Sequence, residues 1–126
     1  MRNTLFLLFI TTAIVLSSCS KEARINRKLD GEWNATQVNG VVPPAGSAVT
    51  FSFSRDKKGK GTGSQTASYG GFSISTPFTY SISGEVMMKK NDADNSVDEY
   101  YTIREHTKKR FVFASYDDKE TILVAK

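Results

Sequence analysis

Leu29-Asp30-Gly31-Glu32-Trp33 separates an apolar and then basic N-terminal part from a long run of alternating segments, and it holds the only Trp of the chain. We read it as the start of a β-barrel. From Glu32 onward, apolar and polar residues alternate with period 2 and turn residues recur at short intervals, the pattern of short antiparallel strands.

Segment A covers Glu32 to Val38 and ends at Asn39-Gly40, before a loop containing Pro43-Pro44. Segment B places Val49, Phe51 and Phe53 on one face and Thr50, Ser52 and Ser54 on the other. Asp56-Lys57-Lys58-Gly59 turns the chain into segment C, Lys60 to Tyr69, and Gly70-Gly71 leads to segment D, in which Phe72, Ile74, Phe78, Tyr80 and Ile82 share a face. Pro77 lies inside D and cannot donate to a ladder, so a break, a bulge or an edge is expected there. Segments E (Glu85 to Lys90), F (Asp98 to His106), G (Arg110 to Tyr116) and H (Glu120 to Ala125) complete the count, with a polar loop over Asn91 to Val97. Eight segments with hairpin-length links predict an all-β, eight-stranded antiparallel up-and-down barrel, because closure removes the edges an open sheet must protect. A two-sheet β-sandwich is the alternative.

Before the strands, residues Met1 to Cys19 have the form of a secretory leader: basic Arg2, an apolar stretch from Leu5 to Leu16, and small residues before Cys19. That stretch is shorter than the roughly 20 apolar residues a spanning helix needs. Leu16-Ser17-Ser18-Cys19 resembles the lipobox of bacterial lipoproteins, and the resemblance implies cleavage after residue 18 and acylation, including palmitate, of Cys19; an ordinary signal peptide with a leftover thiol is the alternative. With Cys19 lipidated, no thiol remains to form a disulfide. Position 20 is Ser, not the Asp that in many lipoproteins signals inner-membrane retention, which implies the outer membrane, on its periplasmic or surface face. Ser20-Lys21-Glu22 loosely resembles a surface-export tether.

Removal of residues 1–18 leaves 108 of the 126 residues, one domain by length. Without Arg2 the formal charge of +4 falls to +3, and no run of like charges suggests nucleic-acid binding. Residues 19–28 read as a lipidated tether running into a short helix, with Ile25 and Leu29 four apart on one face and able to cap an end of the domain; a disordered stalk is the alternative.

Several stretches resemble small bacterial lipocalin-like lipoproteins: Leu29 to Trp33, Phe51-Ser52-Phe53, Lys58-Gly59-Lys60-Gly61-Thr62, Tyr100-Tyr101-Thr102-Ile103 and Thr121-Ile122-Leu123-Val124. The likeness runs from about Leu29 to the C-terminus. It implies that Gly31 and Trp33 close one end of the barrel beneath a late cationic residue, Arg110 before Lys126.

Chemistry is sparse in this sequence. His106 is the only His, and no G-x-S-x-G occurs, so no enzyme, cofactor or metal centre is expected. Gly59-Lys60-Gly61-Thr62-Gly63 lacks the order of a phosphate loop and reads as a β-turn. Asp92, Asp94, Asp98 and Glu99 form an acidic loop, but Val97 and Ile103 occupy positions where a calcium hand needs Gly and Glu, leaving weak calcium binding as the minor alternative to a solvated loop.

These features suggest a lipid-anchored envelope protein that binds a small apolar or amphipathic molecule, with Phe51, Phe53, Gln65, Ala67, Tyr80, Tyr101 and Phe113 expected at the ligand. The rival reading is a protein-binding module, a protease inhibitor or envelope assembly factor, with a packed, ligand-free barrel. Segment C bears on the choice. Thr62, Ser64, Thr66 and Ser68 suit a wet outer face, which turns Gly61, Gly63, Gln65 and Ala67 inward and predicts an open cup, unless Phe51, Phe53 or Tyr80 reach across to fill it. Oligomeric state is left open by the sequence.

Overall fold

A computed structural model describes residues 21–91 and 98–126. The leader, Cys19, Ser20 and the loop residues Asp92, Asp94 and Val97 lie outside the described residues, as do the expectations that rest on them.

The domain is a closed antiparallel up-and-down barrel preceded by one short helix. The helix, α1, covers residues 21–29. Eight strands follow: β1 Gly31–Gln37, β2 Ser47–Lys57, β3 Lys60–Tyr69, β4 Phe72–Ser83, β5 Val86–Asn91, β6 Asp98–His106, β7 Arg110–Ala114 and β8 Glu120–Ala125. Each pairs with the next, and β1 pairs with β8 to close the ring, so no sandwich forms. Register shifts in β1, β2 and β6 mark bulges, which bend strands toward closure.

Alternation sends one face of every strand inward. Trp33, Phe51, Phe53, Phe78, Tyr80, Met87, Ile103, Phe111, Phe113 and Leu123 form one buried cluster, while the outer face of β3 makes hydroxyl pairs with its neighbours, Ser64 with Ser52 at 3.0 Å and Thr66 with Ser75 at 2.8 Å. Pro77 is paired with Ser64 within a continuous β4. Strand β4 thus runs through Pro77 without a break.

The ends of the barrel differ. Turns β2–β3, β4–β5 and β6–β7 gather at one end together with α1, which inserts Ile25 and Leu29 into the core as a plug. Between these two apolar side chains lies Asn26, wholly buried and fully engaged. Its amide donates to the carbonyls of Lys57 (3.0 Å) and Lys60 (3.1 Å), and its Oδ1 accepts from the Tyr80 hydroxyl (2.5 Å). Asp30 adds a tie by accepting from the Arg55 amide at 3.0 Å. The inner glycines of β3 face this plugged end. A Cβ at Gly61 would lie 2.6 Å from the Tyr80 hydroxyl, and one at Gly63 would lie 2.7 Å from the Phe78 ring. The expected open space over this wall is therefore taken by the two rings, and the lower half of the cup is packed.

Gly31, at φ +125°, turns the chain from α1 into β1 and delivers Trp33 to the closed end. The indole Nε1 donates to the Leu29 carbonyl at 2.7 Å, and its ring meets Phe111 edge-on at 5.2 Å. Arg110 does not cover it. Strand alternation puts Arg110 on the opposite face of β7 from Phe111, outside the barrel, where it pairs with Glu105. Lys126 likewise pairs outside, with Glu32 at 3.4 Å. The helix carbonyl and an aromatic edge take the place that the family resemblance gave to a cation.

Candidate functional site

At the other end, the β1–β2 loop, the β3–β4 turn and the β7–β8 turn surround an open mouth. A cavity of about 130 Å³ lies just inside it, lined by Phe51, Phe53, Gln65, Tyr101 and Phe113 among others. These are five of the seven residues expected at a ligand. Tyr80 is not among them, because its hydroxyl is held by Asn26 at the plugged end and its ring is pressed on Gly61. Ala67 is not among them either. It keeps the inward parity of Gln65, but β2, β3 and β4 run on past the rim, so its face continues outside the barrel as a shelf.

That shelf is apolar. Val49, Ala67, Tyr69, Phe72 and Ile74 line it with Pro43 and Pro44 of the β1–β2 loop, around a groove of about 460 Å³. Phe72 is 81% exposed and Ile74 72%, unusual for large apolar side chains with polar alternatives available on the same strand. Val38 lines both the groove and the inner cavity, so the two adjoin at its side chain.

The cavity also has a polar wall that sequence reasoning missed. Lys89 is only 8% exposed, with its ammonium 3.6 Å from Glu99 and 5.0 Å from the centre of the Phe78 ring. Tyr101 donates to the same Glu99 carboxylate at 2.7 Å; burial first, and then that carboxylate, raise the Tyr101 hydroxyl above the ordinary tyrosine range, so it stays a donor. Asn91 also lines this region, and its buried Oδ1 has no hydrogen-bond partner among the described residues. The signal for Lys89 was its parity: two residues from Met87 on one strand, it shares the inward face.

One positive and one negative charge bind each other here, so the wall has no net charge to offer a free ion. Its unused capacity is hydrogen bonding, from Gln65 and Asn91. Among the described residues, no group of three or more His, Cys, Asp or Glu side chains could hold a metal ion, and no helix is long and apolar enough to cross a membrane. No protein-family model matches the chain, and no curated protein matches it.

Proposed function

We propose that this protein is a lipid-anchored, non-enzymatic lipocalin-like barrel of the cell envelope that takes up a small amphipathic molecule at its mouth. The apolar shelf adjoining the inner cavity at Val38 carries the reading. An engineered cavity of about 150 Å³ in another protein holds benzene, so the inner space suits a head or ring of that size while the remainder of the ligand lies along the shelf. A carboxylate would meet Glu99 beside Lys89, whereas an uncharged alcohol, amide or ester would find Gln65 and Asn91. The polar groups are tied to one another instead of being poised for proton transfer, which fits a carrier. Its place at the outer membrane follows from the lipobox-like Leu16-Ser17-Ser18-Cys19 and from Ser20.

Uptake of an apolar fluorescent probe tests this. The wild type should enhance the probe's emission, and Ile74→Asp should abolish the effect with an unchanged melting temperature, since Ile74 is exposed. A barrel that ignores the probe, or an Ile74→Asp variant that binds it as well as wild type, would leave the protein-binding reading in its place.

A further inference from the structure

Charge divides the barrel along the same axis as shape. At the closed end, residues 21–32, 55–60, 84–86, 105–110 and 126 together carry twice as many Lys and Arg as Asp and Glu. At the open end the excess disappears, with Asp98, Glu99, Asp117, Asp118 and Glu120 against Lys89, Lys90, Lys119 and Arg104, which pairs with Asp118 and Glu120, among the described residues. Most closed-end acids already have partners: Glu85 holds Lys21, Glu105 holds Arg110, Glu32 holds Lys126, and Asp30 accepts from a backbone amide. Lys57, Lys58 and Lys60 around the β2–β3 turn and Lys108 and Lys109 on the β6–β7 turn are exposed and have no ion-pair partner among the described residues.

We propose that this closed end is a docking face for an anionic phospholipid surface, which holds the barrel with its plugged base on the bilayer and its mouth turned away. The inference rests on the reading of Cys19 as a lipid anchor. Two peptide links separate Cys19 from Lys21, at most about 7 Å of chain. Lys21 is fixed at the closed end by Glu85 of the β4–β5 turn (3.3 Å), and its neighbour Glu22 accepts from the Gly84 amide (3.0 Å). An acyl chain on Cys19 therefore enters the membrane beside these lysines, within the roughly 8 Å over which salt leaves a surface potential effective. Each cationic side chain so placed contributes roughly fivefold to partitioning. A nucleic acid is the poorer fit, because base stacking needs exposed aromatic rings near the cations and here Tyr69, Phe72, Tyr100 and Tyr116 are all at the opposite end.

The full chain, expressed in a bacterium that processes lipoproteins and reconstituted in phosphatidylcholine vesicles with or without phosphatidylglycerol, tests the orientation. A fluorophore on Ser83→Cys at the closed end or Tyr116→Cys at the open end is read against a headgroup quencher, and radiolabelled palmitate reports the anchor separately. The Ser83 position should be quenched more strongly with phosphatidylglycerol than without it, the excess being released by salt, and Tyr116 should remain bright. Lys57→Gln/Lys58→Gln/Lys108→Gln, all exposed positions, should keep the vesicle-bound state and melting temperature while lowering the docking equilibrium constant by roughly a hundredfold. Equal quenching of Ser83 in both vesicles and in the triple variant, or quenching of Tyr116 instead, would overturn the proposal. If no palmitate is incorporated, the anchor reading fails alone: salt-sensitive co-sedimentation with phosphatidylglycerol vesicles would still uphold the face, and its absence, or a preference for RNA over such vesicles, would overturn it.

Discussion

Replacement of Asn26 by Ala should destabilise the domain more than any exposed substitution, although the side chain carries no charge. Three hydrogen bonds disappear, those to the Lys57 and Lys60 carbonyls and that from Tyr80, and each is worth about 1 kcal/mol net. The Tyr80 hydroxyl then loses its acceptor at a buried position. The expected loss is about 3 kcal/mol, or roughly 12–24 °C in melting temperature for a domain of this size. Urea denaturation followed by Trp33 fluorescence measures it, since the indole is bonded to the same helix at Leu29. Tyr80→Phe alone removes one of the three bonds, and the double variant should cost less than the two single losses added together because they share an interaction. A loss under about 1 kcal/mol for Asn26→Ala, or strict additivity with Tyr80→Phe, would show that α1 rests on the barrel without plugging it.

Trp33→Ala should cost about 3–5 kcal/mol as a buried aromatic truncation, whereas Arg110→Ala should cost less than about 1 kcal/mol because its pair with Glu105 is exposed; a large Arg110 effect in denaturation would restore the cation to the barrel end. Gly63→Ala should lose about 1–3 kcal/mol, since the new methyl presses on the Ser52 carbonyl and the Phe78 ring, and the companion Phe78→Leu should recover part of it in thermal melts. Burial lifts the Tyr80 and Tyr101 hydroxyls above the ordinary tyrosine value of about 10, so the unfolded chain releases these protons first as pH rises. Stability should hold below about pH 10 and fall above it, and denaturation midpoints collected across that range should decline less steeply in Tyr80→Phe.

Period-2 alternation made the barrel legible, and the segments Lys60 to Tyr69, Asp98 to His106 and Glu120 to Ala125 match β3, β6 and β8 at both ends. Parity tells which face a residue occupies but not how far along the barrel axis it lies, and this is why Tyr80 and Ala67 were placed at the ligand. Both point to the inner face. Strand overhang carries one out over the shelf, while the other goes down to the plug. The glycine wall of β3 posed a related problem, for its small volume is visible in the sequence but the rings of Phe78 and Tyr80 that occupy the space come from a different strand. Lys89 and Asn26 escaped notice because a charge and an amide read as solvated until their neighbours are known. Arg110 was misplaced through the family resemblance, although its adjacency to Phe111 already assigns it to the outer face.

Ring closure depends on β1 meeting β8, Trp33 opposite Ala125 and Gln37 opposite Ile122, the pairing that joins the two ends of the domain and leaves the longest loop to be closed. Every other strand can pair as soon as its predecessor is made. Until the final residues arrive, β1 and β7 each present a free ladder edge to any passing strand. The six residues of β8 thus serve as a latch on folding order, and their loss opens two edges at once: deletion of this strand turns a self-contained ring into a template for polymerisation.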